Sequence, residues 1–120
     1  MDSSRTLLIL RRPPYDSGRN KSAVDMALAL TVFDIPVDML FLGDGVWQLL
    51  PDQEVKVTPA KSMQKTLASF PLYDVDQLYA EAEALEQRNL NAASLPHSVQ
   101  AIPRQDLGEF CSSFRQVLVF

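Results

Sequence analysis

The chain has 120 residues, with 11 basic and 15 acidic side chains for a formal net charge of −4, and it is 47% hydrophobic and 22% charged. That size and composition suit one globular domain over residues 1–120, with a core that needs no disulfides or metals, and exclude a disordered or fibrous chain. No apolar run approaches the ~18–20 residues of a membrane-spanning helix, and Leu7–Leu10 is shorter than the about 7–15 residues of a secretory signal core, so no membrane association is expected.

The charge is uneven along the chain. Residues 1–21 hold Arg5, Arg11, Arg12, Arg19 and Lys21 against Asp2 and Asp16, whereas the remainder holds six basic against thirteen acidic side chains. Thr6–Leu10 is short and nearly all apolar, as a strand covered on both faces of a parallel sheet must be. Arg11–Asn20 is dense in Pro, Gly, Asp and Asn and reads as a loop. A helix is expected to start near Ser22, where Ser22 and Asp25 have the spacing of a capping box, with Val24, Ala27, Leu28 and Thr31 on one face. After Pro36, Val37–Leu42 reads as a second strand with Asp38 at its start. Gly43-Asp44-Gly45 then supplies the backbone freedom for a sharp turn, and Val46–Leu50 reads as one or two helical turns ending at Pro51.

Thr58-Pro59 has the pattern of a helix N-cap and first turn, and Met63, Leu67 and Phe70 continue it at helical spacing up to Pro71. Within Asp74–Asn89, the run Ala80-Glu81-Ala82-Glu83-Ala84-Leu85-Glu86 is rich in helix formers, so local propensity makes all of it helix. Leu95-Pro96-His97 punctuates the chain and Ser98–Ile102 reads as a strand. Arg104–Phe114 places Leu107, Phe110, Cys111 and Phe114 on one helical face, and Gln116–Phe120 closes as an apolar strand. Alternation of this kind predicts a three-layer α/β domain, a mainly parallel sheet flanked by helices with right-handed crossovers.

Candidate chemistry is sparse. Cys111, the single cysteine, excludes an internal disulfide and predicts a reducing compartment, the cytoplasm. It lies inside an apolar stripe, where a packed thiol of raised pKa and low reactivity is the simpler reading than a nucleophile. His97 is the single histidine, so no two-histidine metal site can be read; no metal or cofactor is expected. Gly43-Asp44-Gly45 follows a strand and precedes a helical turn, the place where α/β folds bind phosphates. With Arg11, Arg12 and Arg19 as counter-charges it is a candidate anion-binding loop, although it lacks a nucleotide-binding glycine pattern, and a solvated loop is the plainer account of the basic segment. Trp47, with Val46, Leu49 and Leu50, has the character of an interface anchor; a core tryptophan is an equal alternative. Glu81, Glu83 and Glu86 read as a solvated helix face. The sequence pI near 4.8 argues against direct nucleic-acid binding.

Phe41-Leu42-Gly43-Asp44-Gly45-Val46-Trp47-Gln48-Leu49-Leu50-Pro51 resembles the F-x-x-D-G-V-[FW]-Q-L-L-P stretch of the TusC/DsrF-type sulfur-relay subunits of the DsrE/DsrF-like family. Leu72-Tyr73-Asp74, Leu85–Leu90 with Arg88, Ala101-Ile102-Pro103 and Val117-Leu118-Val119-Phe120 extend the resemblance over nearly the whole chain. It implies a single α/β domain, and it implies that Asp76–Ala82 is a buried strand with a helix beginning near Ala84. It further implies a heterohexamer with TusB- and TusD-like subunits, two copies of each, that passes persulfide sulfur toward 2-thiouridine at the tRNA wobble position; the related DsrE–DsrF–DsrH assembly serves sulfur oxidation. In the sulfur-carrying subunits of this family the reactive cysteine matches Glu81 of the present chain. A carboxylate cannot hold a persulfide, so the resemblance implies a non-catalytic subunit with no catalytic residue of its own. The alternatives are the DsrF subunit of such a DsrE–DsrF–DsrH assembly in sulfur oxidation and a stand-alone sulfur carrier using Cys111.

Overall fold

The computed structural model describes residues 5–12, 19–49, 75–91, 93 and 99–120. Within them the chain runs β1 (Thr6–Leu10), α1 (Arg19–Val32), β2 (Val37–Phe41), a 3₁₀ helix (Gly43–Leu49), β3 (Val75–Glu81), α2 (Ala82–Gln87), β4 (Val99–Ile102), a 3₁₀ turn (Arg104–Asp106), α3 (Leu107–Ser112) and β5 (Gln116–Val119). The five strands form one sheet in the order β4-β3-β2-β1-β5, and every pairing is parallel. This is the α/β architecture expected from the alternation of elements. The helix expected over Thr58–Phe70 and the turn at Leu95-Pro96-His97 lie outside the described residues.

Parallel strands need crossovers that cover the sheet, so each face requires an apolar set. One face presents Leu8, Leu10, Val37, Met39, Phe41 and Ala80 to Ala23 and Ala27 of α1, Val46 and Leu49 of the 3₁₀ helix, and Ala84 and Leu85 of α2. The other presents Leu7, Ile9 and Leu40 to Leu107, Phe110, Cys111 and Phe114 of the α3 region. β1 and β2 are buried at every position, which explains why β1 reads as a continuous apolar run. Tyr79 meets Phe110 edge-on at 4.7 Å, and Phe110 meets Phe114 at 5.2 Å, so an aromatic row seals the second face.

Four local expectations are corrected. The first concerns α1, which begins at Arg19, so Ser22 and Asp25 lie inside the helix and their capping-box spacing does not mark its start. The second concerns Val75–Glu81, a strand despite its helix-forming composition, because it is paired on both sides, to β2 and to β4; tertiary pairing overrides a propensity worth a few tenths of a kcal/mol per residue. The helix then starts at Ala82, close to where the family resemblance puts it. Third, the segment after β2 is a 3₁₀ helix that includes the glycines rather than a turn followed by a helix. Fourth, Arg104–Phe114 is divided into a 3₁₀ turn and the short α3.

Both α1 and α2 end on a non-glycine residue in the left-handed region, Asp34 (φ 59°) and Asn89 (φ 56°). In each, two backbone bonds close the end: Ile35 N–H donates to Leu30 O and Asp34 N–H to Thr31 O, while Leu90 N–H donates to Leu85 O and Asn89 N–H to Glu86 O. This is the Schellman arrangement, and the short polar side chains of Asp and Asn tolerate the backbone it requires.

An ion pair fastens the amino end of the sheet. Asp38 on β2, 3% exposed, accepts from Arg5 Nε at 3.0 Å and from Arg5 Nη2 at 2.5 Å, and the same Nη2 reaches Val37 O at 3.3 Å. A forked guanidinium on a buried carboxylate satisfies both oxygens at once. At the carboxyl end the 3₁₀ helix passes close over β1: a Cβ on Gly45 would lie 2.1 Å from Leu10 O. Gly108 in α3 has no atom of the described residues within 4 Å of that position. Gly45→Ala should therefore lower stability by about 1–3 kcal/mol through forced backbone displacement, whereas Gly108→Ala should raise it by about 0.5–1 kcal/mol through helix propensity. Urea unfolding of the two variants beside the parent checks the opposite signs.

Candidate functional site

In a parallel sheet the carboxyl ends of all strands share one rim, and the connections that leave it carry most of the polar side chains. Here the rim is built from Arg11-Arg12 after β1, Gly43–Leu49 after β2, the β3–α2 junction at Glu81-Ala82, and Pro103-Arg104 after β4. Glu81 is the last residue of β3 and is 7% exposed, so the reading of it as part of a solvated helix face is corrected.

Its two oxygens face different elements. Gly43 N–H donates to Glu81 Oε1 at 3.1 Å, and Arg104 Nε donates to Oε2 at 2.5 Å. Arg104 N–H in turn donates to Glu83 Oε1 at 2.8 Å. On the outer side Arg88, at the C-terminus of α2, donates to Ala84 O at 3.1 Å and to Asp44 Oδ1 at 2.8 Å. One carboxylate thus ties the start of the 3₁₀ helix to the turn after β4, and a second ion pair ties the same helix to α2. Burial alone would push the Glu81 carboxyl up; the Arg104 hydrogen bond, the Gly43 amide and the charges of Arg104 and Arg88 outweigh it and hold the carboxyl below its usual 4.5.

Of the four interface candidates, Val46 and Leu49 are fully buried in the chain's own core, which removes them from any surface. Trp47 between them is half-buried, and Leu50 lies outside the described residues. Among the described residues, Trp47 is the interface candidate with surface to offer. Gln48 is buried and its Nε2 donates to Arg12 O at 2.8 Å, which fixes the chain leaving β1 against the 3₁₀ helix.

The candidate anion loop is occupied from within. Gly43 N–H already holds the Glu81 carboxylate, Gly45 N–H donates to Leu42 O at 2.8 Å, and Asp44 pairs with Arg88. Arg11 is exposed and Arg12 half-buried at the same rim; the side chain of Arg19 lies outside the described residues. Arg5, the first cation of the basic segment, is at the opposite end of the sheet on Asp38. Sequence reasoning missed the partners of Glu81 and Asp44. The available signal was positional: an acid closing one strand and an arginine opening the connection after its neighbour, 23 residues later.

Cys111 is half-buried among Leu107, Phe110 and Phe114 on the second face, and burial pushes its thiol above the usual 9.0. That is the environment of a packing residue. Among the described residues no three His, Cys, Asp or Glu side chains gather as a metal site, and no helix there is long and apolar enough to cross a membrane.

Comparison with known proteins adds to this geometry. The model of the DsrE/DsrF-like family matches residues 4–120. A protein of Pseudomonas aeruginosa named "Protein TusC homolog" is 36% identical over 116 residues, covering 97% of this chain and 98% of its own length. A protein of the same name from Vibrio parahaemolyticus is 32% identical over 117 residues, covering 98% and 99%. Among solved structures, the ychN protein of E. coli superposes with a TM-score of 0.81 at 18% identity, over 98% of this chain and 99% of that one, which shows the shared fold.

Two outcomes follow. A carboxylate whose pKa is depressed by folding stabilises the protein fully above its unfolded value and loses that contribution as pH falls through the folded one. Glu81→Gln should therefore be less stable than the parent by about 1–2 kcal/mol at pH 7, and the gap should close below pH 4.5; denaturant titrations across pH 3–8 measure it. A thiol-specific reagent at neutral pH should modify Cys111 slowly in the folded chain and at least ~10-fold faster in urea, as burial and a raised pKa require.

Proposed function

The chain belongs to the DsrE/DsrF-like family, and on that footing we propose that it is a non-catalytic, TusC-type subunit of a sulfur-relay complex. Its partners in this reading are TusB- and TusD-like subunits in a heterohexamer, and the complex hands persulfide sulfur toward 2-thiouridine synthesis at the tRNA wobble position in the cytoplasm. The full-length similarity to proteins named TusC homolog supports the placement. One observation carries the non-catalytic assignment: Glu81, matched by resemblance to the sulfur-bearing cysteine of other subunits, is a carboxylate locked between the Gly43 amide and Arg104. A persulfide needs a sulfur nucleophile, and the single thiol of the chain is packed on the opposite face of the sheet from α1 and α2.

A subunit without chemistry of its own contributes surface. Trp47 supplies it: a half-buried indole on a 3₁₀ helix whose two neighbours, Val46 and Leu49, are anchored in the core, so the ring is presented from a rigid base with little ordering cost on association. The acidic balance of the chain is consistent with the tRNA being met by another protein of the pathway.

Co-expression with TusB- and TusD-like chains should yield one stable complex that survives size-exclusion chromatography, and a monomer eluting alone under those conditions would count against the assignment. Within that complex Trp47→Ala should weaken assembly by about 2–4 kcal/mol while the isolated variant keeps its cooperative unfolding. Loss of folding in the isolated variant would instead place the indole in the core.

A further inference from the structure

The Glu81 carboxylate sits where an external anion would be expected to bind. It receives a backbone N–H from Gly43 and a guanidinium N–H from Arg104, at the carboxyl-end rim of a parallel sheet, with the Arg88 guanidinium close enough to lower its pKa further. Backbone amide plus arginine is the donor set that oxoanion sites use, because both present N–H groups and positive charge without an acceptor to repel the ligand. Two further features bear on access. The Arg104 side chain is 55% exposed whereas that of Glu81 is 10% exposed, so the cradle is reached from solvent through its arginine. At Gly43, which takes φ +50°, no atom of the described residues lies within 4 Å of where a Cβ would stand, so none of them crowds the donor amide.

We propose that this rim is a preformed anion cradle closed by the chain's own side chain: the Gly43 amide and the Arg104 guanidinium that hold Glu81 hold a small inorganic oxoanion once that carboxylate is shortened, and in the parent chain Glu81 acts as the plug that keeps such anions out. The plug works by occupancy rather than by the net field. The charged side chains of the described rim are Asp44, Glu81 and Glu83 against Arg11, Arg12, Arg88 and Arg104, one positive charge in excess with Glu81 in place and two without it, so shortening Glu81 both frees the donors and strengthens their pull on an anion. The inference rests on this geometry and is independent of the sulfur-relay reading.

Sulfate is the probe, with chloride at matched ionic strength as the control. In Glu81→Ala and in Glu81→Ser, sulfate should raise the unfolding midpoint saturably, by about 5 °C at concentrations well above Kd, and should shift the Gly43 amide resonance along the same saturation curve. The parent chain should show neither effect beyond chloride, and Glu81→Ala/Arg104→Gln should lose both. If the single variants fold in sulfate but not in chloride, the cradle is likewise supported. The proposal is overturned if neither single variant responds to sulfate, if neither folds even in its presence, if stabilisation occurs without movement of the Gly43 amide, or if the response survives Arg104→Gln.

Discussion

All five strands of this sheet run in the same direction, and most of what distinguishes the molecule follows from that constraint. Parallel strands cannot be joined by tight hairpins, so every connection crosses a face and both faces must be apolar. β1 and β2, at the centre, are accordingly buried at each residue. The same constraint sorts the polar side chains. In β1 and β2 polar side chains are confined to Thr6 and Asp38, and the three ion pairs of Arg5, Arg88 and Arg104 lie at the two rims, where the chain enters and leaves the sheet.

Each rim is then held by an acid on a strand and an arginine on a connection, but the two devices differ. At the amino end, Asp38 receives both of its side-chain bonds from the one guanidinium of Arg5, so the pair staples β2 to the residue before β1, whose register it reinforces. At the carboxyl end the bonds to Glu81 come from two different elements, a backbone amide and an arginine. A forked pair with one partner gives a local staple. A carboxylate shared between two elements gives a clasp, because it orients the 3₁₀ helix, the β3–α2 junction and the turn after β4 with respect to each other. Trp47 rides on the first of these, three residues from the clasped glycine's neighbour Asp44, so its presentation depends on an acid far away in sequence.

The strands β1, β4 and β5 were legible because apolar runs bounded by turn residues survive any context, and the α/β class followed from their alternation with amphipathic segments. The strand β3 was not legible from local chemistry. Ala80-Glu81-Ala82-Glu83 favours helix, and only pairing with β2 on one side and β4 on the other makes Val75–Glu81 extended. The family resemblance supplied that correction because it encodes tertiary context that a propensity scale lacks. Among the interface candidates, the 3₁₀ helix turns Val46 and Leu49 inward and leaves Trp47 half-buried, a partition not readable from the sequence, where the tryptophan stood equally as anchor and as core residue. Glu81 was misread for the simplest reason. Its partners lie 38 and 23 residues away, and no pattern within the helix-like run reports them.

The donors around position 81 bear on what the residue there can be. A backbone amide and a guanidinium lower the pKa of whatever acid they face, and they would do so for a thiol as they do for a carboxylic acid. The rim therefore has the electrostatics that favour a sulfur anion, and the chain fills it with an oxygen anion instead. Substituting an apolar residue would take from the Gly43 N–H the acceptor it has in Glu81, whereas the Arg104 guanidinium, more than half exposed, would remain hydrated. An acid is thus favoured at this position whether or not any chemistry is performed there, and the ionised acid present here has no nucleophilic sulfur. In this chain the demand for charge at the rim and the absence of sulfur are met by the same side chain, and the thiol it does possess, Cys111, is held in an apolar setting on the second face where burial raises its pKa. The two sites thus have opposite electrostatics: an anion is stabilised at the rim and disfavoured at the cysteine, which separates charge from sulfur within one small domain.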